Sequence, residues 1–117
     1  DFMNFWLKIQ PDLFFFAKEN GEIIGGAVGL IKPVWDGNHL TDTELFVDSK
    51  FQNQGIGKNL LLKLISEAIN KYQITIFDGL AFKDVEFPLK WYNRIGLQET
   101  NLVYLEGDPK EILENLK

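Results

Sequence analysis

The sequence predicts an α/β (α+β) fold: one domain over residues 1–117, with a mixed, mostly antiparallel central sheet flanked by helices. Three observations predict it. Two apolar runs flank Asn20-Gly21, a dipeptide that accepts the left-handed backbone of a tight hairpin and so joins antiparallel strands. Ile56, Leu60, Leu61, Leu64, Ile65, Ala68 and Tyr72 recur at helical spacing over roughly four turns. Strand and helix patterns then alternate to the end of the chain, giving the order α-β-β-β-α-β-α-β-α.

Taken in order, Phe2, Phe5, Trp6 and Ile9 form an apolar helical stripe that ends before Pro11 and is expected to pack on the core. Leu13 to Ala17 is a continuous apolar run, expected as a strand buried on both faces. Ile23 to Ile31 is its hairpin partner, in which Gly25, Gly26 and Gly29 mark bulges or close backbone approach. Pro33 to Thr41 reads as a polar loop; Trp35 and Asp36 within it are candidate substrate-binding residues, and His39 reads as a surface histidine. Thr43 to Val47 is a strand entering a glycine loop. Ile74 to Phe82 is a further strand bent at Asp78-Gly79. Pro88 and Gly96 bracket a helix that places Phe87, Trp91 and Ile95 on one face. Leu97 to Glu106 returns to strand character, and Asp108-Pro109-Lys110-Glu111 opens a last helix.

Composition excludes several functions. A chain of 117 residues with 45% hydrophobic and 14% aromatic content builds a core and is not disordered. With no cysteine there is no disulfide framework or thiolate nucleophile, and with His39 as the single histidine neither a Ser/His triad nor a metal site is expected. The lack of cysteine fits a cytoplasmic setting. A net charge of −5 disfavours sequence-independent nucleic-acid binding and suits a cationic partner. No run has membrane-spanning length, so no membrane partner is expected. The chain opens on Asp1 rather than Met, consistent with a processed or engineered form or with a piece of a longer protein.

The centre of the sequence is Gln52-Asn53-Gln54-Gly55-Ile56-Gly57-Lys58, between a strand and a helix. Unpaired amides and the macrodipole at a helix start make such a junction an anion site. A Walker loop would need glycine at position 52 and Ser or Thr at 59, where this chain has Gln52 and Asn59. A dinucleotide fingerprint would need a third glycine where Leu60 stands, in a parallel βαβ unit.

Gln52-x-x-Gly55-x-Gly57, preceded by Leu45-x-Val47 and followed by a Leu-rich helix, resembles the acyl-CoA-binding motif of the GCN5-related N-acetyltransferases. Trp91-Tyr92-Asn93-Arg94-Ile95-Gly96-Leu97 resembles that family's second signature, and the two stand in register. The resemblance covers residues 2 to 106. It implies acetyl-CoA as acyl donor, with main-chain bonds from Leu45, Phe46 and Val47 to the pantetheine arm. It further implies a pyrophosphate site at Gln52, Asn53, Gln54, Gly55, Ile56, Gly57 and Lys58, and Tyr92 as general acid at the sulfur. The chain departs from the family at Val85, often Asn, and at Ser49, usually Pro. The family's first strand is not visible, so a longer parent chain or a partner subunit, for instance in a homodimer, is expected to complete the sheet.

The implied reaction is acetyl transfer from the thioester to a primary amine. An amine of pKa near ~10 is protonated at neutral pH and must lose a proton before attack. Glu44 on the strand before the loop is the first candidate base, with Asp42 and Asp78 as alternatives; Asp78 is also a candidate substrate-binding residue. The expected acceptor is a small cationic molecule, aminoglycoside- or polyamine-like. The alternatives are a protein or peptide N-acetyltransferase and a non-catalytic CoA-binding regulatory domain.

Overall fold

A computed structural model of the protein describes residues 2–81, 83 and 86–117; for residues 2, 3, 6, 86 and 87 it describes the backbone alone. The chain divides into two compact units, 1–82 and 83–117. The first holds a helix α1 (Phe2–Ile9), a 3-10 turn (Pro11–Leu13), strands β1 (Phe14–Glu19), β2 (Glu22–Val34) and β3 (Gly37–Val47), helix α2 (Ile56–Tyr72) and strand β4 (Ile76–Phe77). The sheet order is β1-β2-β3-β4. The first two pairings are antiparallel and the last is parallel.

Asn20 and Gly21 stand at φ 52° and 82°, the left-handed pair that a two-residue hairpin requires. The second hairpin departs from the sequence expectation. Residues 33–41 are not a loop: the ladder runs Ile31↔Leu40, Lys32↔His39, Pro33↔Asn38 and Val34↔Gly37, leaving only Trp35 and Asp36 at the turn. The segment is polar because most of its residues are only partly buried. Pro33 is tolerated because it lies near the strand end.

The core lies between the sheet and α2, where Leu13, Ala27, Leu40, Leu64 and Ala68 are fully buried. On α2 the buried residues are Leu60, Leu61, Leu64 and Ala68, the face that the helical periodicity picks out. β1 is not buried on both faces. It is the sheet edge among the described residues, and Phe15, Phe16 and Ala17 are only partly covered. Phe5 and Ile9 of α1 are about half exposed, so their stripe is not a core stripe here. β4 is shorter than the expected 74–82, because it leaves β3 after two register pairs; Phe82 lies outside the described residues.

The second unit contains α3 (Glu86–Ile95) and α4 (Pro109–Asn115). Pro88 sits in the first turn of α3, where its missing N–H costs no intrahelical bond. The helix ends as the sequence predicts: Gly96 at φ 117°, its N–H to Asn93 O at 3.3 Å and the Leu97 N–H to Tyr92 O at 2.9 Å. These two bonds are the Schellman closure. Of the predicted face, Trp91 is partly buried and Ile95 exposed, and the Phe87 side chain lies outside the description. Residues 97–106 form no strand, and Leu102, Val103, Tyr104 and Leu105 are exposed. Strand propensity alone does not make a strand; a ladder is also needed, and none pairs with this segment among the described residues. Asp108 caps α4 through its carboxylate, which accepts the Lys110 N–H at 2.9 Å. No helix among the described residues is long and apolar enough to cross a membrane.

Candidate active site

The site is built at the C-terminal end of β3. β3 and β4 are paired at His39↔Ile76 and Leu40↔Phe77, with one further bond from Asp78 N–H to Leu40 O at 3.0 Å. The strands then part, and no strand pairs with the outer side of β3 from Asp42 to Val47 among the described residues. The result is a fork.

A bulge sets what the fork presents. The β2–β3 register slips between Val28↔Glu44 and Leu30↔Thr41, so Asp42 and Thr43 together oppose Gly29. Asp42 takes φ 51° to absorb the extra residue. Before the bulge, the carbonyls of Asn38 and Leu40 turn toward β4, accepting from Thr75 and Asp78 N–H. After it, Asp48 N–H bonds Ile24 O at 2.7 Å. Period-two alternation therefore directs the main chain of Phe46 and Glu44 to β2, and that of Leu45 and Val47 outward into the fork. Of the three residues expected to bond a ligand arm through the main chain, Leu45 and Val47 are aimed for it and Phe46 is aimed at β2.

The same slip sorts the side chains. A Cβ placed on Gly57 would meet Val47 and Leu45 at 3.5 and 4.0 Å, so both face the first turn of α2. Glu44 and Phe46 alternate to the opposite face, where Glu44 is exposed. Thr43 Oγ1, next to the bulge, is buried and has no hydrogen-bond partner among the described residues.

Beyond Val47 the chain folds tightly into α2. The Asp48 carboxylate accepts Lys50 N–H at 2.9 Å, and Gln52 Nε2 donates to Val47 O at 3.0 Å. Asn53 and Gly55 both stand at positive φ, 65° and 82°. Gly55 is the N-cap of α2 and supplies no side-chain cap. The first intrahelical bond is Asn59 N–H to Gly55 O, so the amides of Ile56, Gly57 and Lys58 have no partner within the helix. Gln54 and Lys58 are exposed beside them. An uncapped helix start joined to an outward-facing strand edge fits an anionic head group with an amide-bearing arm.

The residues singled out for substrate fall into two groups. Trp35 is 94% exposed at the hairpin tip. Asp36 and Asp78 are brought together on His39, where the sequence alone predicts an ordinary surface residue. His39 Nε2 lies 2.7 Å from Asp36 Oδ1 and Nδ1 lies 3.0 Å from Asp78 Oδ2. The Thr41 hydroxyl donates to Asp78 Oδ1 at 2.6 Å. Carboxylates only accept, so both contacts together require the doubly protonated ring. The Asp36 hydrogen bond, then that of Asp78, raises the His39 pKa above its ordinary value. Both Asp78 oxygens are thus engaged, whereas Glu44 has no such partner in its surroundings among the described residues. The missed signal was alternation: His39 and Thr41 are i, i+2 on one strand face.

Tyr92 belongs to the second unit, in α3, partly buried with its ring 5.6 Å from that of Trp91. Val85, the position where the resemblance leads to Asn, lies outside the described residues.

The acetyltransferase (GNAT) family profile matches residues 1–94, most of the chain, and the protein belongs to that family. Among solved structures, the fold is similar to that of an aminoglycoside acetyltransferase, HMB0005, from an uncultured soil metagenomic sample (TM-score 0.69, 20% identity, 81% of this chain and 64% of that one). It is also similar to AAC(6')-Iy in complex with a bisubstrate analogue, CoA-S-monomethyl-acetylneamine (TM-score 0.68, 22% identity, 81% and 67%). A further structure of that aminoglycoside N-acetyltransferase, in complex with CoA, gives TM-score 0.72 at 18% identity over 91% and 92%. The chain thus spans just under two thirds of the length of the first of these. No curated protein matches the sequence.

Proposed function

We propose that the chain is an acetyl-CoA-dependent N-acetyltransferase acting on a primary amine of a small cationic molecule, aminoglycoside- or polyamine-like. One observation carries the reading: the uncapped start of α2 lies one short loop beyond a strand edge that turns two residues' main-chain groups outward beside a fork. Coenzyme A has the matching chemistry, a pyrophosphate joined to an amide-bearing arm, and supplies the acyl thioester. The amides from Gly55 to Lys58 bind the pyrophosphate, with Gln52, Asn53 and Gln54 shaping the loop and Lys58 adding charge. Leu45 and Val47 bond the arm as an added strand would.

Glu44 takes the proton from the incoming ammonium, directly or through water. It stands on the face opposite α2, and Asp78, already bonded by two donors, is left with a structural part. Main-chain N–H groups at the bulge polarise the thioester carbonyl. Tyr92 is assigned to protonate the departing thiolate, on the strength of its signature Trp91-Tyr92 to Gly96-Leu97. Trp35 and Asp36 are assigned to the amine-bearing substrate, whose positive charge suits the chain's excess of carboxylates. The relatives named above for aminoglycosides support this acceptor class.

Calorimetry with CoA, followed by labelled acetyl-CoA with a panel of amines, tests the reading. Saturable CoA binding and transfer to polyamines or aminoglycosides are expected. Absence of CoA binding overturns the whole assignment, and binding without transfer to any amine leaves a CoA-binding regulatory domain. Tyr92→Phe is expected to lower kcat by about 10²-fold or more while sparing CoA affinity. An unchanged rate removes Tyr92 from the chemistry.

A further inference from the structure

β4 is a two-residue strand, and its main-chain link to β3 is short. The ladder pairs are His39↔Ile76 and Leu40↔Phe77, flanked by Thr75 N–H to Asn38 O at 2.9 Å and Asp78 N–H to Leu40 O at 3.0 Å. So short a parallel pairing is weak on its own. Side chains close the gap at the point where the strands separate. Asp78, the last residue tied to β3, accepts from Thr41 Oγ1 on one carboxylate oxygen and from His39 Nδ1 on the other. His39 reaches back from there to Asp36 in the β2–β3 turn. Three segments, the hairpin turn, β3 and the end of β4, thus meet on one imidazole that is only 14% exposed.

We propose that His39 is a positioning residue: bridging Asp36 and Asp78 as an imidazolium, it clasps the foot of the β3–β4 fork and so governs how well the fork holds the acyl-carrying arm of the cofactor. The proposal rests on the cofactor reading above and goes beyond it by assigning control of the fork to a group outside the cofactor's contacts. A neutral imidazole has one N–H and can donate to one carboxylate only. Loss of the proton therefore breaks one arm of the clasp. Besides Asp36 and Asp78, the titratable group facing His39 among the described residues is Lys32, its ladder partner on β2, which shares its face. On β4 its partner is Ile76, which carries no charge. The pKa of His39 is raised, so the clasp is complete below the ordinary value and is lost as pH rises through the folded one.

His39 is the chain's single histidine, so one Hε1 proton resonance reports its titration without assignment. CoA affinity is measured by calorimetry across the same pH range for the wild type, His39→Gln and Asp36→Asn. The wild type is expected to bind CoA roughly threefold to tenfold tighter than His39→Gln below the His39 midpoint, with the difference vanishing above it. Asp36→Asn is expected to lower the NMR midpoint and to move the affinity midpoint with it. 3′-Phosphoadenosine 5′-diphosphate, which reaches the glycine loop but has no arm for the fork, is expected to bind wild type and His39→Gln alike. Should His39→Gln fail to fold, the joint movement of the two midpoints in Asp36→Asn carries the test.

Equal CoA affinity at every pH, or an NMR midpoint that moves without the affinity, overturns the clasp. A matching loss for 3′-phosphoadenosine 5′-diphosphate overturns it as well, since the effect is then not at the fork. Binding of neither probe at any pH brings down the cofactor reading and the clasp with it.

Discussion

Gly55 is where one residue type decides the shape of the loop that opens α2. Its φ of 82° is left-handed, and a Cβ there would meet no atom within 4 Å. The cost of a side chain is therefore backbone strain alone, about 1–2 kcal/mol. Gly55→Ala is expected to lower unfolding stability by that amount in urea titration and to weaken CoA binding, because the amide cradle shifts with the backbone. Asp12 gives a prediction at acid pH. Hydrogen bonding from Tyr72 above all, helped by Gln10 and Lys71, holds its carboxyl below the ordinary 3.8. Its contribution is full above the unfolded value and is lost as pH falls through the folded one. Asp12→Asn is expected to flatten the acid limb of a Tm-against-pH curve and to leave the alkaline limb of the His39 titration in place. The loop glycines were legible because spacing along the chain carries the information. The His39 clasp was not, since Asp78 lies 39 residues away and only the parallel pairing of β3 and β4 brings the two together.

Among the elements, α2 was read from periodicity with its bounds intact, because a helix buried on one face repeats that face in sequence. Leu64 lies at its centre and is fully buried. Leu64→Ala is expected to cost about 2–5 kcal/mol, read as a lower urea midpoint at unchanged m. β3 was only half legible. The alternation of Glu44 and Phe46 against Leu45 and Val47 is visible in the sequence, but the bulge at Asp42 is not. Leu40 and Leu45 share the α2 face despite an odd spacing, and only the inserted residue reconciles them. The hairpin at Trp35-Asp36 was hidden by polar residues on a partly exposed ladder, although Asp36-Gly37 is itself a turn signal. The segment 97–106 shows the opposite case: its sequence is apolar, but no strand pairs with it among the described residues.

For the whole molecule, a ligand that binds only the folded chain raises apparent stability with concentration. At one hundred times its Kd, CoA is expected to add about 2.7 kcal/mol, visible as a rise in Tm that His39→Gln reduces at low pH. Sequence motifs were enough to place the chain in its family because the glycine loop and the Trp91-Tyr92 segment are short and local. The acceptor is not legible in the same way, since one fold serves many acceptors and leaves that choice open.

The fork carries one further consequence, for the protein in solution. A strand edge kept open for a ligand is equally open to the edge of a neighbouring molecule. Asp42 and Glu44 project from β3 along the open stretch, and Asp48 follows at its end; their like charges oppose a second copy docking there. Neutralising Asp42 and Glu44 together is expected to raise light scattering of the ligand-free protein on standing, and added CoA is expected to suppress it. The acidic residues beside the open edge are thereby expected to oppose self-association of the ligand-free protein.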